Sequence, residues 1–358
     1  MSSVRFLNLD KLRGFAAMSV LVYHVIEHTD WVTFPIKGVN VWWRIGWMGV
    51  DLFFILSGFL IYLSAHILKE RYGQSWGRIY VAHRFARIAP LYFLTLLVFS
   101  VLILPALLFL PPVELALQFF THVFFIHNLL PSTHGAINGV TWSIGVEMQF
   151  YVFIFLSLGW LQRVSIGRVL IVLCSVACLW KATIFLFFPA EQRWFLTTQL
   201  PGTLDEFAFG IAACKLILDR KLTAAPTWMH SWWRIIVAFT SLWLMFTLFW
   251  MEGDYWNNPW MVIFFRILMA FSGAALILAV ITIPEHWWIA SSKPFDYLGK
   301  ISYGIYLWHL PVILSLKTLD LAAGVPYLTA VIVGTLLLAA FSYHMLESPW
   351  VERARRAA

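Results

Sequence analysis

The sequence predicts an all-α protein that crosses a membrane many times, and three observations carry that prediction. First, 61% of the 358 residues are hydrophobic and only 12% are charged, more apolar surface than the polar residues of a soluble domain could cover. Second, the apolar residues gather into runs long enough to span the hydrocarbon core of a bilayer as helices. Third, 20 Trp and 12 Tyr suit the aromatic belts of bilayer interfaces. The net charge of +7 does not imply nucleic acid as a partner, because the Lys and Arg of a membrane protein collect in its cytoplasmic loops.

Ten runs of spanning length follow one another. Run 9–28 is the first. It carries Arg13 within it and has no small-residue cleavage site behind it, so it is expected to be a retained helix. Runs 46–68, 84–110, 142–161, 167–187, 201–219, 233–251, 260–283, 300–319 and 325–346 follow, with short joints. An eleventh segment, 114–130, is short and contains His122, His127 and Asn128. Charge decides whether it crosses. With a cytoplasmic N-terminus and a non-crossing segment, 19 Lys and Arg lie inside and only Lys37, Arg44 and Arg193 outside. A crossing segment makes that split 9 to 13. The positive-inside rule selects the first arrangement. Segment 114–130 is therefore expected to be re-entrant or interfacial on the outer side, backed by the uncharged loop 131–141. Both termini are expected in the cytoplasm. One integral membrane domain, 1–358, is expected, with no fused soluble domain and no internal repeat.

Cys174, Cys178 and Cys214 all fall in apolar runs and read as packing residues. Cys174 and Cys178 share a helix face, but no His or carboxylate accompanies them, and no metal site is expected.

A titratable side chain inside an apolar span is costly and marks a functional site by default. In this topology His24, Asp51, Glu147, Asp205, Glu206 and Arg266 share the outer layer, and His309 lies near mid-membrane beside Tyr306. A set of mutually satisfied ion pairs is the competing reading for Asp205, Glu206 and Arg266. A second cluster faces the cytoplasm: Arg13, with Arg84 and Arg87 at the mouth of a helix. The i, i+3 spacing of Arg84 and Arg87 puts both guanidinium groups on one helix face, and such forks suit phosphate oxygens. Arg71 and Arg78 read as ordinary flanking charge. Arg13 and His24 stand about 16 Å apart along one helix. A polyphosphate at the cytoplasmic mouth and a base one pantetheine length away describe a through-membrane site with the shape of coenzyme A.

The same stretches carry a family resemblance. LDKLRGFAAMSVLVYH, holding Arg13 and His24, resembles the Arg/Lys-x10-His signature of the acyltransferase-3 family of membrane acyltransferases. GVDLFFILSGFLI (49–61) resembles that family's second-helix motif, and RFAR (84–87) its Arg-x-x-Arg motif. TWSIGVEMQFY (141–151) and ISYGIYLWHLP (301–311) resemble its later motifs, in the expected order. The resemblance implies about ten membrane helices and a polysaccharide or lipopolysaccharide O-acetyltransferase of the bacterial inner membrane. An acyl group, usually acetyl, would pass from cytoplasmic acyl-coenzyme A to a hydroxyl of a glycan or lipid-linked sugar at the outer face.

Roles follow from that implication. His24 is expected as general base, with a near-neutral pKa suited to the task, or as a nucleophile that carries the acyl group. Asp51 or Glu147 is expected to accept from its other ring nitrogen, with Arg266 nearby. Trp142, Ser143, Tyr306 and His309 are candidate oxyanion donors or substrate contacts. Arg13, Arg84 and Arg87 are expected to hold coenzyme A phosphates. The outer aromatics Trp31, Trp42, Trp43, Trp47, Trp256 and Trp260 read as belt residues or as stacking surfaces for a sugar. A transporter or flippase with a proton-relay cluster is the rival class. It would favour inverted repeats, which the sequence does not display.

Overall fold

The computed structural model describes residues 7–29, 31, 33–34, 40–219, 236–237, 239–244, 247, 252–281, 292–319 and 322–356. Their order is α1 (Leu7–His28), α2 (Val41–Arg44), α3 (Met48–Tyr72), α4 (Trp76–Val98), α5 (Pro112–Val123), α6 (Trp142–Arg163) and α7 (Ile166–Phe187). There follow α8 (Ala190–Thr197), α9 (Leu200–Asp219), α10 (Pro259–Ile281), α11 (Lys293–Lys300), α12 (Ser302–Lys317), α13 (Val325–Ser342) and α14 (Ser348–Arg356). No strand occurs among the described residues.

Five helical stretches are long and apolar enough to cross a membrane: Met48–Ile103, Gly139–Arg163, Ile166–Phe187, Pro259–Ile281 and Val325–Arg356. The first holds two expected runs, α3 and α4, joined by a tight turn at Gly73–Ser75. Gly73 has a φ of 53° there, which only glycine adopts without steric cost. Helices α1 and α9 are 22 and 20 residues long and stay outside that set because of the charges they carry. Those charges are Asp10, Lys11, Arg13 and Glu27 in α1, and Asp205, Glu206, Lys215 and Asp219 in α9. The expected run 233–251 lies mostly outside the described residues.

Three boundaries differ from expectation. The run expected over 84–110 begins as helix at Trp76, and its α-helical part ends at Val98. A wider turn over Phe99–Ile103 and a tighter one over Pro105–Phe109 complete it. The apolar pattern marked where charge ends, whereas backbone hydrogen bonding carries α4 eight residues further towards its N-terminus. The run 300–319 is split, with α11 closing at Lys300 and α12 opening at Ser302. In segment 114–130 only α5, of 12 residues and opened by Pro112, is α-helical. It spans about 18 Å, short of the ~30 Å hydrocarbon core.

The chain groups into two compact units, and α1, α3, α6 and, by its last residue, α11 contribute residues to both. The first takes the described residues of Met1–Phe15, Val50–His66 and Phe153–Gly299. There α7, α9 and α10 pack on one another and on α3. Small residues permit the close approach usual for helices in lipid. A Cβ on Gly58 would meet the Phe207 backbone, and one on Gly210 would meet the carbonyl of Ile55. Phe54 and Phe207 rings lie 5.0 Å apart beside this crossing. Ser165 caps α7, its Oγ accepting from Arg168 N at 3.4 Å.

The second unit takes the described residues of Ala16–Gly49, Ile67–Val152 and Lys300–Ala358. Its centre is α12, buried without a break from Ser302 to Ile313. A helix apolar on every side is one surrounded by protein. Helix α13 crosses it at Gly304, whose Cβ position lies 3.0 Å from Ala339 Cα, and α14 packs on α4. Outward faces of both units are apolar: Leu156 is 76% exposed, Leu186 72% and Phe341 65%. A hydrocarbon surround explains such faces, which water would penalise.

The Gly210 crossing is testable. Gly210→Ala is expected to cost about 1–3 kcal/mol through overpacking. Gly167→Ala is expected to be neutral or to stabilise by up to about 1 kcal/mol, since it sits in the first turn of α7 with open space around it. Thermal unfolding in detergent measures both; equal midpoints for the two variants would refute the packing.

Candidate active site

Helix α12 builds the site. Pro311 interrupts its hydrogen-bond ladder, because proline has no N–H to offer the carbonyl of Leu307. Asn138 fills that gap, donating from Nδ2 to Leu307 O at 3.2 Å. One residue earlier, Tyr306 donates its hydroxyl to Val140 O at 2.8 Å and lies 2.7 Å from Ser143 Oγ. Ser143 Oγ also reaches Val140 O at 3.1 Å. Two contacts thus fix this turn of α12 to the chain entering α6.

His309 follows on the same turn and is fully buried. Its Nδ1 is 3.2 Å from Ile305 O. Its Nε2 is 3.1 Å from Nδ1 of His24 on α1. The two rings stack with centroids 5.0 Å apart at 24°. His24 is half-buried and has His28, 6.0 Å away, and Tyr23, 5.1 Å away, as further ring neighbours. Tyr306 and His309 rings are 5.8 Å apart. The expected residues His24, His309, Tyr306 and Ser143 are therefore brought together. The ring nitrogen of His24 expected to face a carboxylate faces His309.

Both expected carboxylates are engaged elsewhere. Glu147 Oε1 accepts from Tyr151 OH at 2.8 Å. The Arg84 guanidinium lies 5.5 Å from the ring centres of both Tyr151 and Tyr80, a cation–π arrangement. Expectation had Glu147 and Arg84 in opposite layers. One tyrosine links them, because Arg84 lies eight residues, about 12 Å, inside α4 rather than at its mouth. Arg84 Nε is buried with no hydrogen-bond partner among the described residues. Arg13, in the first unit, is half-buried on α1.

Asp51 belongs to an ion cluster in the first unit. Arg266 Nη1 lies 3.2 Å from Asp51 Oδ1 and 3.0 Å from Glu206 Oε1. Lys181 Nζ pairs with Asp205 Oδ2 at 2.5 Å, both fully buried. Lys181 was not singled out by sequence, although a lysine within run 167–187 is itself the signal. Three carboxyl groups face two cations. Arg266 thus bridges Asp51 and Glu206, and Glu206 Oε2 is buried with no hydrogen-bond partner among the described residues.

Trp142 opens α6 with His134 stacked on it, ring centroids 5.9 Å apart. Burial pushes His134, in the loop before α6, down to about 4, so it is neutral at physiological pH. Among the described residues, no group of three or more His, Cys, Asp or Glu side chains is placed to hold a metal ion.

Five helical stretches long and apolar enough to cross a membrane thus accompany a histidine pair set beside two hydroxyl groups. The chain belongs to the acyltransferase-3 family: the family's model, described as an acyltransferase domain, matches residues 6–344. O-acetyltransferase OatA of Staphylococcus aureus is 25% identical over 390 residues, covering 98% of this chain and 58% of the relative. Peptidoglycan O-acetyltransferase OatA of Listeria monocytogenes is 26% identical over 376 residues, covering 96% of this chain and 55% of the relative. The chain thus spans little more than half the length of these curated relatives. No solved structure matches it.

Two predictions follow from the polar packing. Glu206→Gln or Asp51→Asn alone leaves two carboxyl groups for the two cations, and each is expected to unfold close to wild type. Their combination leaves one buried cation uncompensated and is expected to cost about 3–5 kcal/mol. Thermal unfolding measures this, and additive effects would refute the coupling of the two carboxyl groups through Arg266. Asn138→Ala strands the Leu307 carbonyl and is expected to cost about 1–3 kcal/mol; an unchanged unfolding midpoint would show that the Pro311 gap needs no partner.

Proposed function

We propose that the chain is a membrane O-acyltransferase, in its simplest form an O-acetyltransferase. It moves an acyl group from cytoplasmic acyl-coenzyme A to a glycan hydroxyl at the outer face of a bacterial inner membrane. The observation that carries this reading is the family match over 6–344 together with His24, the histidine of its signature, set beside His309 and near-lying hydroxyl donors. The names of the relatives favour peptidoglycan as the first acceptor to assay, with lipopolysaccharide glycans second.

His24 Nε2 takes the acceptor's hydroxyl proton as that oxygen attacks the thioester carbonyl carbon. The carbon–sulfur bond then breaks, and the departing sulfur receives the proton from the His24 imidazolium. Oxyanion donors are drawn from Tyr306, Ser143 and Trp142. Tyr306 and Ser143 both point at Val140 O at rest, so one hydroxyl turns from that carbonyl to the developing charge.

Coenzyme A, bound as donor, supplies the activated thioester. Arg84 fits its phosphates because the guanidinium is held on two aromatic faces with Nε unsatisfied. Arg87, one turn on and half-buried, makes no hydrogen bond or ion pair among the described residues. Glu147 holds Tyr151 in place beside Arg84. The role of Arg13 as a further phosphate contact rests on the family signature. The cytoplasmic placement of both termini rests on the positive-inside count.

Acyl-coenzyme A binding and turnover by purified protein, with peptidoglycan and lipopolysaccharide fragments as acceptors, test the proposal. His24→Ala is expected to keep donor binding and lose about 10²–10⁴ in turnover. Arg84→Ala/Arg87→Ala is expected to lose donor binding. A wild-type protein that neither binds nor turns over acyl-coenzyme A would overturn the reading.

A further inference from the structure

Resting on the reading of His24 as the base, we propose that His309 is a positioning residue that selects the reactive tautomer of His24. The inference starts from hydrogen-bond direction. A carbonyl oxygen only accepts, so the 3.2 Å contact between His309 Nδ1 and Ile305 O requires the proton on Nδ1 of His309. A neutral imidazole carries one ring proton, so His309 Nε2 bears a lone pair. That lone pair faces His24 Nδ1 at 3.1 Å. Two lone pairs at this distance would repel, so His24 places its own proton on Nδ1 and donates it to His309. His24 Nε2 is then the nitrogen with the free lone pair, the atom a general base must present.

The chain of protons is anchored at each step. Ile305 and His309 are one helical turn apart on α12, buried throughout this stretch. The turn between them is fixed by Tyr306 on Val140 O and by Asn138 on the carbonyl that Pro311 leaves unpaired. His309 is fully buried, whereas His24 is half-buried. A histidine left to itself favours the Nε2–H tautomer, which would offer the acceptor a donor instead of a base. As in other sites where the second nitrogen of a reactive histidine is held by a partner, the outer partner decides the chemistry of the inner ring. In this protein that partner is a second imidazole, and it touches neither donor nor acceptor.

Three variants and one spectrum test the proposal. His309→Gln presents an amide oxygen near the position of Nε2 and keeps an acceptor for His24 Nδ1–H. His309→Leu removes it, and His24→Ala removes the base itself. His309→Leu is expected to lower kcat about 10- to 100-fold with donor KM unchanged, and His309→Gln to recover most of the loss. Nitrogen NMR of histidine-labelled wild type is expected to show a His24 signal protonated at Nδ1 and bare at Nε2, identified by its absence from His24→Ala. That signal moves towards the opposite tautomer in His309→Leu. An Nε2–H tautomer in wild type, or a Gln variant no better than Leu, would overturn the proposal. The spectrum needs no turnover. A protein with the Nδ1–H tautomer and no acyl transfer would therefore sink the enzymatic reading while leaving the tautomer selection standing.

Discussion

In hydrocarbon there is no water to satisfy a polar group that the protein leaves bare. Several ionisable side chains in the described apolar helices meet that demand locally. Lys181 closes on Asp205, and Arg266 reaches two carboxyl groups with one nitrogen. Lys215 donates to the Leu161 carbonyl at 2.7 Å and lies over the Tyr62 ring. Asn138 repairs the one rung of α12 that Pro311 breaks. The arrangement of helices follows from these obligations as much as from apolar packing, because each obligation names a partner on another element.

The two units answer the demand differently. In the first, charge is met by charge: Lys181 with Asp205, and Arg266 with both Asp51 and Glu206. Such a cluster is rigid, since removing any one charge exposes its partner. In the second, the polar groups around His24 are neutral: two imidazoles, two hydroxyls and backbone carbonyls. A neutral network can pass a proton along its bonds and return to its starting state without ever stabilising a resting charge. A carboxylate on His24 would make a stronger base, but it would also fix an ion in the apolar interior. A second histidine gives orientation without that ion.

Much of this was legible in the sequence, for physical reasons. Run lengths and hydropathy gave the helices, because a bilayer fixes both. The cost of a charge in lipid drew attention to His24, Asp51, Glu206 and Arg266 before any contact was known. Partners were less legible. His309 was recognised as a candidate contact, but nothing in the sequence says that residues 285 positions apart share a hydrogen bond. The start of α4 is not legible in the apolar pattern, which marks where charge stops rather than where a helix begins, and α4 runs eight residues beyond it. Lys181 is legible as a charge deep in an apolar run, whereas its pairing with Asp205 is not.

Helix α12 shows how one short segment sets the geometry of a site. Within seven residues it makes contacts to four other parts of its unit. Tyr303 donates to Ile88 O on α4 at 2.8 Å, and Tyr306 to Val140 O ahead of α6. Trp308 donates to Ser342 Oγ on α13 at 3.2 Å, and His309 meets His24 on α1. Successive side chains of a helix point about 100° apart, so a helix buried on all sides can address every neighbour within two turns. A helix with one solvated face could not. The unbroken burial of α12 from Ser302 to Ile313 is thus what allows one element to hold His309, Tyr306 and the neighbouring helices in a single register. It also explains why a proline is tolerated there: the rung lost inside the helix becomes an attachment point for the segment that carries Ser143.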